Sequence, residues 1–249
     1  MEQQTHWAGY RATLQNKPAI VSLDLALEPD SELSHLLTMT LVFNHLRTDG
    51  SDLPTEAELD AIEPLQLRLE GMLERTDVAY AGRVTTQGKR NYYWYGTQQA
   101  LSAFAENDFA KFSEKANRAV SLAIVEDADW NLYYQTLCPD EEQLNAINNQ
   151  ETLFELAKDG MPMVGCYELA FHFAFEKEEN LKACLEELAT EDFELVEEFF
   201  SEEDNVFVLT VSRAVELDLD YLNQTTWYLR QTVLEHKGDF DGWGFVEED

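Results

Sequence analysis

Gly238-Asp239-Phe240-Asp241-Gly242-Trp243-Gly244 follows the last helical pattern of the chain, residues 220–237, and the reading of these seven residues decides the second half of the fold. Gly238 suits the left-handed cap that ends a helix. Gly242 and Gly244 then let the backbone turn, placing Phe240 and Trp243 beside Asp239 and Asp241. Read as a turn, the run leaves a three-stranded antiparallel sheet behind it. The two rings either seal the domain edge or offer an anchor to a partner. Asp239, Phe240, Asp241, Gly242 and Trp243 are therefore the candidate partner-binding set.

Upstream, residues 178–189 carry Leu181, Cys184, Leu185 and Leu188 at helical spacing. Residues 192–200 and 205–214 pair as a hairpin, and 164–175 read as a strand bearing His172. Residues 140–158 read as a helix with a weak middle at Asn148-Asn149, ended by Asp159-Gly160. The order is α-β-α-β-β-α. Cys138-Pro139-Asp140 marks the boundary, because proline suits the first turn of a helix and the charge balance changes there. Two domains are expected, 1–137 and 138–249.

The first domain opens with strands over 6–14, 18–27 and 36–46, the second alternating from Val21 to Leu27. Thr55-Glu56-Ala57-Glu58 reads as a reciprocal capping box ahead of a helix that Pro64 should kink or delay. Residues 78–86 and 89–96 form a hairpin around Gln87-Gly88, with Tyr92, Tyr93, Trp94 and Tyr95 presenting aromatics to both faces. One amphipathic helix spans 101–112, and strands over 118–126 and 130–137 close the domain. The fold class is α+β: two small antiparallel-sheet sandwiches with helices on one face, of the ferredoxin-like kind.

Charge narrows the function. Residues 139–249 hold 29 acidic and 6 basic groups, net −23, against 20 and 11, net −9, in residues 1–138. Such a surface repels nucleic acid and attracts basic partners. The aromatic run is thus expected in sheet packing or a protein contact rather than as a base-stacking platform. The chain starts Met1-Glu2-Gln3-Gln4 without a basic and apolar leader, and no apolar run reaches the roughly 18 residues that span a bilayer, so a cytoplasmic location is expected.

No catalytic constellation emerges. Cys138, Cys166 and Cys184 form no C-x-x-C pair, and neither a G-x-S-x-G, an H-E-x-x-H nor a glycine-rich phosphate loop occurs. Cys166 and His172 share a strand face but stand about 20 Å apart at strand rise, so both read as core residues. His236 suits the end of a helix, where the dipole favours a cation. Asp239, Asp241, Gly242 and Glu248 match places three, five, six and twelve of an EF-hand loop. Lys237 occupies the first, which argues against calcium. No cofactor and no metal are expected.

The run Phe240-Asp241-Gly242-Trp243-Gly244 after a terminal helix, behind an acidic α-β-α-β-β-α unit, resembles the regulator of ribonuclease E activity B family over residues 139–249. Residues 1–137 look like an uncharacterised bacterial domain found ahead of such units, on Asp49-Gly50, Leu53-Pro54, Gly82-Arg83-Val84-Thr85 and Tyr92 to Tyr95. The resemblance implies a non-catalytic regulator that binds a basic region of a ribonuclease. A contrasting expectation is an enzyme of unknown reaction, its site between the domains or in the first of them around Arg83, Tyr93 and Trp94.

Overall fold

Alternating burial builds the first three strands, β1 (Trp7–Leu14), β2 (Lys17–Asp24) and β3 (His35–Val42), in a computed structural model that describes residues 5–73, 77–162 and 165–246. Met1 to Gln4, Val164 and Glu247 to Asp249, which figured in the leader, strand and calcium readings, lie outside the described residues. The chain divides into two units, Met1–Gln143 and Leu144–Asp249.

In the first unit, Gln87 and Gly88 both take positive φ, 49° and 74°, the mirror-image turn that suits a twisted two-strand ribbon. They join β4 (Val78–Thr86) to β5 (Lys89–Gly96). With β6 (Val120–Glu126) the sheet runs β1-β2-β4-β5-β3-β6, every neighbouring pair antiparallel. Helices α1 (Glu56–Leu73), α2 (Gln98–Asn107) and α3 (Phe109–Ala116) pack Ile62, Leu69, Phe104 and Phe112 on the face carrying Leu37, Met39, Tyr92 and Trp94. Tyr93 and Tyr95 point to the other face and are buried too, so the aromatic run is sheet packing.

Three expectations for this unit are corrected. The helix over 101–112 is two, parted at Asp108. Residues 131–137 are helical, ending in a π-helical turn at Tyr133–Leu137, where a strand over 130–137 was expected. Asp127 causes this: its carboxylate accepts from the backbone N–H of Asn131 (2.8 Å) and Leu132 (3.1 Å), as a helix-starting acid does. Thr55 accepts from the Glu58 N–H at 3.2 Å, but the Glu58 carboxylate does not reach back to it. It turns inward to the N–H of Asn44 (3.0 Å) and to Arg118. Pro64 lies within α1 on an exposed position, where water can satisfy the carbonyl it frees.

Gly82 sits where β4 bulges against β5, at φ 151°, and a Cβ there would lie 2.4 Å from the carbonyl oxygen of Ser22. The contact is with the backbone of β2, which has no flexible side-chain end to move aside. Gly82→Ala is expected to cost about 1–3 kcal/mol, measured by urea unfolding. An unchanged midpoint would show that β2 can slide away.

The second unit completes the split β-α-β-β-α-β arrangement. α4 (Glu141–Lys158) begins at a reciprocal capping box, Asp140 accepting from the Gln143 N–H at 2.8 Å and Gln143 from the Asp140 N–H at 3.0 Å. There follow β7 (Cys166–Phe175), α5 (Glu178–Ala189), β8 (Glu194–Ser201), β9 (Val206–Glu216), α6 (Leu219–Glu235) and β10 (Gly238–Phe245). The sheet order is β10-β7-β9-β8, wholly antiparallel. Leu169, Phe171, Phe173 and Phe175 of β7 meet Leu181, Cys184 and Leu188 of α5 and Leu222, Leu229 and Val233 of α6 in one core. The sheet has four strands, not three: the glycine-rich run that looked like a turn is β10.

Candidate partner-binding site

The end of α6 explains why β10 forms. Lys237, not Gly238, takes the left-handed conformation, with φ 58°. Gly238 is needed for a different reason. It passes against the buried Phe175 ring, and a Cβ there would lie 2.4 Å from a ring carbon. From Gly238 the chain pairs with β7, Phe240 opposite Phe173 and Trp243 opposite Phe171. One extra residue, Asp241, is bulged out between Phe240 and Gly242, and Gly242 supplies φ 137° at the bulge.

This geometry sorts the five candidates. Phe240 and Trp243 point toward the helices and are half-buried against the core, Phe240 5.6 Å from the Phe173 ring centre. Asp239 and Asp241 are exposed. Phe240, Asp241, Gly242 and Trp243 line one groove of about 410 Å³; Asp239 lies outside it. The Asp241 carboxyl is held above the usual aspartate value, first by loss of water and then by repulsion from Asp239 and Asp204, with His172 acting in the opposite direction.

The groove wall is held by asparagines. Trp243 Nε1 donates to Asn149 Oδ1 at 2.8 Å, while Asn149 Nδ2 donates to Asn223 and Thr226 of α6, each at 2.8 Å. Asn145 also donates to Thr226 at 2.8 Å. Both asparagines are buried. Across the groove Arg230 stands 5.9 Å from the Phe240 ring centre, its Nε buried without a hydrogen-bond partner. Apart from the two rings, only Asn149 of these groups drew attention in the sequence, as part of a weak helix middle rather than as a site residue. The signal was present, since Asn145 and Asn149 are four apart on α4 and Asn223 and Thr226 three apart on α6, both facing inward. Asparagines inside a helix look like propensity defects until their partners are known.

The face of the sheet opposite the helices carries the charge. Across it run Gly242, His172, Thr210 and Glu197 in one row, and Gly244, Ala170, Ser212 and Glu194 in another. His172 Nδ1 lies 3.1 Å from Thr210 Oγ1, and Thr210 donates to Glu197 at 3.4 Å. His172 is half-buried in this polar row and Cys166 is exposed, so neither is the core residue expected. Glu168, Glu194, Glu197 and Asp239 belong to this face and Asp241 flanks it; among the described residues no lysine or arginine occurs in its rows. β8 closes the sheet as an edge strand, with Leu195, Val196, Phe199 and Phe200 nearly half exposed between acids. His236 ends α6 as expected, and its Nε2 lies 2.8 Å from Glu187 Oε2.

Among the described residues no helix is long and apolar enough to cross a membrane. A solved structure described as a glycine cleavage system transcriptional repressor aligns at 11% identity over 86% of this chain and 98% of that chain. Its TM-score of 0.23 carries no argument. No curated protein matches the sequence. The family models match in two blocks. Residues 146–245, from inside α4 to the end of β10, match the regulator of ribonuclease activity B. Residues 5–138, the six-stranded sheet with its helices, match a family of unknown function, DUF695. The chain thus belongs to the DUF695 family, with a unit like the regulator of ribonuclease activity B following in the same polypeptide.

Proposed function

We propose that this protein is a non-catalytic regulator whose second unit binds a basic, extended segment of a ribonuclease in the cytoplasm. The observation that carries the reading is the sheet face lined by Glu168, Glu194, Glu197 and Asp239, without a lysine or arginine among the described residues of its rows. A cationic segment laid along it recovers Coulomb energy that the free protein lacks, and the net charge of −23 in residues 139–249 speeds the encounter. The unpaired edge of β8 offers backbone groups to an extended chain, with apolar side chains between the acids. Phe240 and Trp243 hold Asp239 and Asp241 in place rather than serving as exposed anchors.

The test is titration of the protein with an arginine-rich peptide taken from the RNA-binding region of a ribonuclease, at low and moderate salt. Affinity is expected to fall steeply with salt, and Asp239→Asn with Asp241→Asn to weaken it about tenfold at low salt. Binding needs the ionised carboxylate, so affinity is lost as pH falls through the Asp241 pKa. Because that value is raised, the loss starts at a higher pH than for an ordinary aspartate. No binding at low salt, or binding indifferent to salt, would sink the reading.

A further inference from the structure

The first unit holds a cavity of about 600 Å³ between α1 and the uncovered part of its sheet. Three rings form a ladder along one wall. Trp7 and Tyr80 have centroids 5.0 Å apart, and Tyr80 and Trp94 stack at 4.9 Å and 23°. Arg83 lines the cavity opposite Gln66 and Glu70 of α1, and among the described residues it makes no hydrogen bond or ion pair. In a protein of net charge −32, a guanidinium left without an acid beside a carboxylate-bearing helix needs an explanation.

One further polar group lacks a partner. The hydroxyl of Tyr80, itself a lining residue, is buried and hydrogen-bonded to nothing among the described residues, while Tyr92, opposite Arg83 on β5, lies against Arg90. Leaving such a group unpaired costs about 1–3 kcal/mol, so natural structures rarely do it without a use. Burial also raises the Tyr80 pKa above its usual value, which keeps the hydroxyl a neutral donor. Arg90 adds a second cation nearby, held by Thr85 at 2.8 Å and Gln66 at 3.4 Å.

We infer that this cavity binds a small aromatic carboxylate, its ring against the Trp7–Tyr80–Trp94 ladder and its carboxylate on Arg83 with the Tyr80 hydroxyl donating. The charge count selects the class. Among the described residues two guanidiniums, Arg83 and Arg90, are set against Glu70 and leave one positive charge, which matches a monoanion and disfavours a phosphate dianion. Among the described lining residues there is no histidine, cysteine or lysine. Tyr93, expected beside Arg83 and Trp94, lies on the opposite face of β5 and takes no part.

The experiment uses the full chain and three probes: benzoate, phenylacetate and 4-hydroxyphenylacetate, followed by calorimetry and by tryptophan emission. Phenylacetamide and inorganic phosphate are the comparisons. Saturable binding of at least one carboxylate is expected, with Arg83→Gln weakening it about tenfold to a hundredfold and leaving phenylacetamide binding unchanged. Trp7→Leu should weaken acid and amide alike. The inference is overturned by no saturable binding up to about 10 mM, by an Arg83→Gln variant that binds as the parent does, or by phosphate binding more tightly than the carboxylates. Peptide binding by the second unit should be the same in Arg83→Gln and parent, so the two readings stand or fall separately.

Discussion

Replacing Glu58 by glutamine is expected to cost the first unit about 3–5 kcal/mol. The side chains of Glu58 and Arg118 are only 1% and 6% exposed, and they pair with each other between α1 and the segment that leads into β6. Water has been removed from both charges, so each depends on the other. Glutamine keeps an acceptor for the Asn44 N–H, which isolates the effect of charge. What remains is a buried guanidinium without its carboxylate and with its Nε already unpartnered. Arg118→Met strands the opposite charge and should cost a similar amount. The double variant Glu58→Leu with Arg118→Met leaves no buried charge and should recover most of the loss, less about 1–3 kcal/mol for the orphaned Asn44 N–H. Urea unfolding of the parent, Glu58→Leu, Arg118→Met and the double variant gives the cycle, with Glu58→Gln beside it as the test of charge alone. If each single variant cost under about 1 kcal/mol, the pair would be behaving as a solvated one.

That pair also shows how far the sequence could be read. Thr55 and Glu58 have the spacing of a capping box, and half of one forms. Spacing alone could not reveal that Arg118, sixty residues on, would draw the carboxylate inward. The strands whose faces differ in polarity were legible, as was α5 with its Leu181, Cys184, Leu188 stripe, because burial on one side leaves a period in the letters. Where local chemistry competed with that period, the period misled. Residues 130–137 have the aromatics of a strand, yet the Asp127 carboxylate starts a helix there. At the C-terminus three glycines suggested a turn, but Gly238 passes the Phe175 ring within a strand and Gly242 serves its bulge, and only the partner strand β7 makes that visible. The acidic residues of the candidate site could be named in advance. The face they form, and the asparagines behind Trp243, depend on pairings between elements far apart in the chain.

Asn149→Leu is expected to destabilise the second unit by about 2–3 kcal/mol and to loosen β10 more than the rest of the sheet. Asn149 is 2% exposed and uses both ends of its amide: the oxygen accepts from Trp243, and the nitrogen donates to Asn223 and Thr226. Leucine matches its bulk but satisfies none of these groups. Thr226 keeps Asn145 as a donor, so the heavier losses fall on the Trp243 N–H and the Asn223 carbonyl. Asn149→Asp separates the two sides, since a carboxylate still accepts from Trp243 but donates nothing to α6. Amide exchange is therefore expected to quicken across β10 in the leucine variant and to stay near the parent rate there in the aspartate variant. Equal exchange in both would mean that packing of Trp243 against Phe171, not the asparagine, holds the strand. The consequence for binding follows from position. Asp239 and Asp241 are carried by β10, so the leucine variant should bind a basic peptide more weakly without losing a charge. Asp239→Asn with Asp241→Asn should weaken binding while leaving β10 protected. Stability and affinity would then fall together in one variant and separately in the other, as a strand held from behind and charged in front requires.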